Sequence, residues 1–280
     1  MMKKTLYISD LDGTLLGSNE FLSPFAVDTI NQLIHEGAII SIATARNLTS
    51  ATPRIKDLNF QIPIILNNGV AMYNWQTRHY TYVAELAASD IDIMGQILRE
   101  EKCTGYMYAL NNEEICMFHN PLYTPEDQAY FNKRRSRYEG RIIDMPQFSA
   151  PDSQYTPFYC VVFGLEEKVK RVQARINSTA ENIYGVLNKN VYADDYFLDV
   201  FNSSVSKAST IKMLADQLDV DEIVAFGDNY NDLEMLQAAD RSYVPANALP
   251  EIMEYADGIL ESCENDGVPK FIFEDFHKNF

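Results

Sequence analysis

Asp10 and Asp12 stand two residues apart in Asp10-Leu11-Asp12-Gly13-Thr14, which follows the apolar run Leu6-Tyr7-Ile8 after Ser9. On an extended backbone, residues i and i+2 point to the same side. Two carboxylates held so close repel each other unless a cation or a shared proton relieves them. Gly13 lets the chain turn sharply past the pair. A second carboxylate pair, Asp228 and Asp232, lies in Gly227-Asp228-Asn229-Tyr230-Asn231-Asp232, and no histidine or cysteine is near it. An all-oxygen donor set suits a hard divalent ion, and Mg²⁺ especially where the ligand carries phosphate. Thr44, in Thr44-Ala45-Arg46, offers a hydroxyl donor, and Lys207 offers a point charge for a phosphoryl oxygen. Brought together, these groups fit phosphoryl transfer through an aspartyl-phosphate, with metal and lysine neutralising the phosphoryl oxygens.

The elements that must position these residues read as a doubly wound α/β fold, Rossmann-like, with a parallel sheet. A strand over 5–9 leads into the Asp10 loop. A helix near 24–36 follows, with Ser23 as N-cap, Pro24 in its first turn and Gly37 at its end. Ala38–Ala43 is apolar nearly throughout, as strands covered on both faces are, and Ile62–Leu66 is a third strand. The same grammar returns after about residue 202. A helix from Ser206 to Leu218, a strand at Glu222–Phe226 and a helix over Asn231–Ala238 are followed by short strands near Tyr243 and Ile259 and a helix near Val268–Phe276. The chemical clusters fall at the predicted C-terminal ends of core strands, the edge where open α/β sheets bind ligands.

Between the halves the grammar changes. A helix at 89–101 precedes a hairpin, Tyr106–Leu110 and Ile115–Phe118 joined through Asn111-Asn112. A helix at 125–137, a strand at 158–163, a helix at 165–177 and two strands within 183–201 complete an α+β unit. The expected organisation is therefore a core of residues 1–81 and 197–280, with an inserted domain at 82–196. The basic run Lys133-Arg134-Arg135, with Arg137, closes a helix that opens with Glu126 and Asp127, the polarity a helix dipole favours.

The segments DLDGTLL at 10–16, ATAR at 43–46, NNG at 67–69, VSK at 205–207, GDNYNDLEML at 227–236 and PANA at 245–248 resemble the haloacid dehalogenase (HAD) superfamily. Within it they are similar to the Cof-type small-metabolite and sugar phosphatases. The resemblance spans the core from end to end and covers the size and position of the insertion, which looks like that branch's α/β cap. It implies that Asp10 is the nucleophile and Asp12 the general acid and then base. It implies that Asp10, the Asp12 backbone carbonyl and Asp228 hold Mg²⁺, with Asp232 acting on the metal site through a water or Lys207. Thr44 and Lys207 would hold phosphoryl oxygens, and Asn231 would support the loop. Asn68 would sit beside the leaving group, and Arg46 and Asn247 would contact substrate or loop. Ala45 and Ala208 stand where the branch usually has glycine, and neither change removes a catalytic group.

Composition bounds the partners. The 280 residues are 46% hydrophobic, enough for a sizeable core, and the formal net charge of −17 argues against nucleic acid or an anionic membrane as a general partner. A small phosphorylated metabolite needs only a local positive site. Cys103, Cys116, Cys160 and Cys263 are scattered without CxxC spacing, which reads as reduced thiols in a cytoplasmic protein, and no signal peptide or membrane span is apparent. The oligomeric state is not written in the sequence. Simpler readings exist for each cluster alone: Asp-Gly is common turn chemistry, and Asp228 and Asp232 suit a helix N-terminus. Two other activities share these residues. A phosphomannomutase-like transferase would return the phosphoryl group to sugar, and a non-catalytic module would only bind Mg²⁺ or a phospho-ligand.

Overall fold

The computed structural model describes residues 3–112, 114–136, 138, 140–189 and 195–278. The chain divides into two compact units, one of Met1–Tyr82 with Val205–Phe280, the other of Val83–Ser204. Arg137 lies outside the described residues.

The first unit begins with β1 (Thr5–Ser9), α1 (Pro24–His35), β2 (Ile39–Ile42), α2 (Leu48–Ile55), β3 (Ile64–Leu66), β4 (Ala71–Asn74) and β5 (His79–Val83). The second unit contains α3 (Ala88–Glu101), β6 (Gly105–Asn111), β7 (Glu114–His119), α4 (Pro125–Arg135), β8 (Arg141–Asp144), β9 (Thr156–Leu165), α5 (Glu166–Thr179), β10 (Ile183–Lys189) and β11 (Asp195–Asn202). The chain then returns to the first unit with α6 (Lys207–Leu218), β12 (Glu222–Phe226), α7 (Leu233–Ala238), β13 (Arg241–Pro245), α8 (Pro250–Met253), β14 (Gly258–Leu260) and α9 (Gly267–Lys278). Residue 197 lies inside β11, which runs on to Asn202.

The first unit is built on a parallel sheet in the order β14-β13-β12-β1-β2. Central β1 is buried along its whole length, because helices cover both faces. Leu6 and Ile8 pack with Ile211 and Leu214 of α6 and Met235 of α7. Tyr7, between them, turns to the opposite face, where its hydroxyl donates to Asp275 of α9 at 2.8 Å. Ser23 caps α1 by accepting from the Ala26 N–H, with Pro24 in the first turn. Beyond β2, a bridge from Ala43 to Ile65 leads to the sheet β3-β4-β5, in which β3 and β4 run antiparallel.

At the N-terminal edge of the main sheet, a charge network joins Glu222, Arg241 and Asp275. Arg241 pairs with Glu222 at 3.1 Å and with Asp275 at 2.7 Å, and Lys3 and Thr5 also bond Glu222. Burial alone would raise the Glu222 carboxyl, but Arg241, Lys3 and Thr5 outweigh it and bring it down to about 2.

The second unit is a six-stranded sheet in the order β10-β11-β9-β6-β7-β8. Helices α3 and α5 pack on one face, where Leu98, Val172 and Ile176 meet Met107, Cys160 and Leu198. Helix α4 has a reciprocal cap from Thr124 and Asp127, and Tyr130 stacks on Phe163 of β9 with centroids 4.0 Å apart. The Arg134 guanidinium, in the basic run, is taken up by the hydroxyls of Tyr108 and Tyr130.

Candidate active site

The end of β1 is fixed by its neighbour: the Asp10 N–H donates to the Phe226 carbonyl of β12 at 2.9 Å. Past Asp10 the chain turns tightly, and the Leu11 carbonyl accepts from the N–H groups of Thr14, Leu15 and Leu16. Gly13 has φ +79°, and a Cβ there would lie 2.5 Å from Asp228 Oδ2. Glycine thus serves both the turn and the approach of the second acidic loop. That loop is tied to the first by Thr14, whose hydroxyl donates to Asp228 Oδ1 at 2.9 Å.

Asp232 organises the acidic loop from within. It is fully buried; its Oδ2 accepts the Asp228 and Asn229 N–H groups at 3.1 and 3.2 Å, and its Oδ1 accepts Lys207 Nζ at 2.6 Å. Lys207 donates to Asp10 Oδ1 as well, at 2.5 Å. Lys207 opens α6 behind a Ser206 cap, and the Thr210 hydroxyl donates to the Gly69 carbonyl at 2.7 Å. Gly69 (φ +100°) follows Asn67 and Asn68, which also have positive φ. A Cβ on Gly69 would sit 2.3 Å from the Ser206 carbonyl oxygen, so only glycine lets this loop meet the start of the lysine helix.

Asp10, Asp228 and Asp232 each bring one carboxylate oxygen within 4.8 Å of the others. Three carboxylates against one ammonium leave a formal deficit of about two positive charges. Burial, opposed by Lys207 and reinforced by Asp232, pushes Asp10 up to about 7, and burial pushes Asp228 up to about 6. An all-oxygen, doubly anionic cluster fits a hard divalent cation.

The Asp12 carboxylate is not in that group. It turns to Arg46, accepting Nε at 2.7 Å and Nη2 at 2.5 Å. Thr44 is fully buried at the end of β2, where its hydroxyl accepts the Arg46 N–H at 3.1 Å. Its carbonyl accepts the Asn68 N–H at 2.9 Å, and Asn68 Oδ1 is buried without a hydrogen-bond partner among the described residues. Asn231 is exposed, and the turn is instead supported by Asn229, whose side chain accepts the Tyr230 N–H at 2.7 Å. Asn247 reaches across to the first loop, donating to the Gly13 carbonyl at 2.7 Å and accepting the Cys263 N–H at 2.9 Å. Sequence reasoning left out Thr14 and Asn229 as loop-holding residues. Both lie inside the quoted motifs, and only their hydrogen bonds set them apart.

A profile of the haloacid dehalogenase-like hydrolases matches residues 7–272. Among curated proteins, the chain is 22% identical to the 5-amino-6-(5-phospho-D-ribitylamino)uracil phosphatase YitU of Bacillus subtilis, over 98% of each. It is 22% identical to the pyridoxal phosphate phosphatase YbhA of Escherichia coli, covering 94% of this chain and 96% of that protein. A crystal structure of a haloacid dehalogenase-like hydrolase from Bacteroides thetaiotaomicron has the same fold, with a TM-score of 0.72 at 22% identity, over 98% of this chain and all of the other. Among the described residues, no helix is long and apolar enough to cross a membrane.

Proposed function

Since the chain belongs to the haloacid dehalogenase-like hydrolases and is a phosphatase of that family, we propose that it hydrolyses small phosphorylated metabolites, sugar phosphates foremost, through an aspartyl-phosphate on Asp10. The observation that carries this reading is the clustering of Asp10, Asp228 and Asp232 at the end of β1, with Lys207 bonded to Asp10 and Asp232.

Asp10 attacks phosphorus. As its carboxylate oxygen bonds to phosphorus, the bond to the alcohol oxygen breaks, and Asp12 gives that oxygen a proton. Asp12 then takes a proton from water, whose oxygen attacks the phosphorus and frees Asp10 and inorganic phosphate. Lys207 and Thr44 hold phosphoryl oxygens. Asp10, Asp228 and the Asp12 carbonyl would hold a divalent ion, Mg²⁺ by the hardness of its donors. When bound, that ion neutralises charge on the phosphoryl group. Asp232 was also a candidate ligand. Its two oxygens already serve Lys207 and two backbone N–H groups, so it works by holding the lysine and the loop. The unpartnered Asn68 Oδ1 suits a contact to the leaving group. Asn231 and Arg46 were candidates for substrate contacts; Arg46 is better read as the partner of Asp12.

The two relatives named above act on a phosphoribityl compound and on a phosphorylated pyridine. The substrate class is therefore best framed as phosphate monoesters of small polar alcohols. A panel of sugar, nucleotide and cofactor phosphates, read by phosphate release, tests it. Asp10→Asn should abolish release on every ester while the circular dichroism spectrum stays unchanged. Retained turnover would overturn the nucleophile assignment.

A further inference from the structure

A ladder of alternating charges leads away from Asp12. The Arg46 guanidinium forks onto Asp12 through Nε and Nη2, and its Nη1 donates to Ser50 Oγ at 2.9 Å. On its other side, Nη2 faces Glu20 Oε2 at 3.5 Å. The same Glu20 oxygen accepts from Arg54 Nη2, and Arg54 Nη1 donates to the Ser50 carbonyl at 2.8 Å. Ser50 and Arg54 lie four apart on α2 and share a face, and Arg46, just before the N-cap Asn47, joins them through its bond to Ser50. Glu20 meets them from the loop that follows Asp10–Thr14.

Stability alone does not explain this arrangement. The Arg46 and Arg54 side chains are only 19% and 17% exposed, but Asp12 and Glu20 are 45% and 44% exposed, and solvent screening weakens what such pairs contribute. Glu20 also has φ +61°, a left-handed conformation that is unfavourable for a residue with a Cβ. The ladder instead affects orientation. A guanidinium forked onto a carboxylate fixes its plane and occupies both oxygens. Asp12 must leave that grip for one oxygen to meet the departing alcohol. Among the described residues, Glu20 is the other carboxylate within ion-pair distance of Arg46, and it competes for Nη2.

We propose that Glu20, anchored by Arg54, is a positioning residue: by sharing the Arg46 guanidinium it sets how tightly Asp12 is held, and so how readily Asp12 protonates the leaving oxygen. The inference rests on the reading of Asp12 as proton donor. Without Glu20, no second carboxylate draws Nη2 away from Asp12, and expulsion of poor leaving groups slows.

The test is kcat/KM on substituted phenyl phosphates, from 4-nitrophenyl to unsubstituted phenyl. A nitrophenolate departs with little need of a proton, whereas phenolate benefits from one. Glu20→Gln should lower kcat/KM about tenfold on phenyl phosphate and less than about twofold on 4-nitrophenyl phosphate. Glu20→Gly should do the same while unfolding no more easily, because glycine suits the left-handed backbone. Adding Arg46→Gln should erase the effect of Glu20→Gln. Equal losses on both esters, no loss on either, or persistence of the Glu20→Gln effect without Arg46 would overturn the proposal. Asp12→Asn separates the two levels. If it too leaves the ester ratio unchanged, the reading of Asp12 is wrong; if it changes the ratio and Glu20→Gln does not, only the role of Glu20 is wrong.

Discussion

Asp232→Asn is nearly isosteric, yet the structure gives it no good orientation. Asp232 uses Oδ1 for the Lys207 ammonium and Oδ2 for the backbone N–H groups of Asp228 and Asn229. An asparagine has one acceptor oxygen, and its NH₂ must therefore face either the ammonium or the two N–H groups, donor against donor. All of this happens in a fully buried residue, where one broken partner of a buried pair costs about 3–5 kcal/mol. Lys207→Met should cost a similar amount, because it strips the ammonium that bridges Asp10 and Asp232. The two losses share one interaction, so the double variant should be destabilised by about 1–3 kcal/mol less than the sum of the singles. Urea unfolding of the four proteins measures the cycle. Turnover should fall by about 10²-fold in Asp232→Asn, because Lys207 then loses one of the two groups that aim it. If the single losses add to the double within about 0.5 kcal/mol, Lys207 and Asp232 are not coupled and the reasoning fails.

Three further outcomes are expected. Gly69→Ala would force a Cβ to within 2.3 Å of the Ser206 carbonyl, displacing the start of the lysine helix; it should cost at least about 3 kcal/mol in urea and depress turnover, and a wild-type-like variant would show that the loop yields freely. Glu222 is held down at about 2 against an ordinary 4.5, so its contribution is complete above the unfolded value and fades as pH falls through 4.5 toward 2. The stability gap between wild type and Glu222→Gln, on the order of 2–3 kcal/mol near neutrality, should therefore shrink at about pH 3, and a gap that stays constant would contradict the linkage. A chelator should stop phosphate release and Mg²⁺ should restore it, with the melting temperature rising on Mg²⁺ addition as well; activity that survives in chelator would argue against the metal.

The parallel core was legible because its strands are apolar almost without interruption. Glu222–Phe226 appears at its expected bounds, and Thr5–Ser9 and Ile39–Ile42 lie where the runs place them. Helix α2 was not foreseen, since Pro53 sits inside it and the segment is short. The helix expected from Asn231 begins instead with a tighter turn at Tyr230–Asp232, because Asp232 spends its carboxylate on the N–H groups before it. At the site, sequence marked the groups that converge on Lys207 by their place at strand ends. It could not mark how Asp12 is turned, because that depends on a guanidinium 34 residues away whose own partner, Glu20, carries no motif. Side-chain direction after a turn is settled by such non-local partners, and spacing alone does not encode them.

Strand β1 sits in the middle of its sheet, and one of its two neighbours arrives late: Thr5 pairs with Glu222, 217 residues further on. During synthesis at roughly 5–20 residues per second, the stretch between them takes about 10–40 s to emerge. Throughout that interval one edge of β1 has no β12 beside it, and Asp10 has neither Lys207 nor Asp228. The intervening unit is continuous from Val83 to Ser204 and emerges whole within that interval. Assembly of the cluster of Asp10, Asp228 and Asp232 is thus among the last events in the birth of the molecule. A chain released before residue 207 would carry Asp10, Asp12 and Thr44 but neither Lys207 nor the second acidic loop, so the acidic cluster forms only once most of the chain has been made.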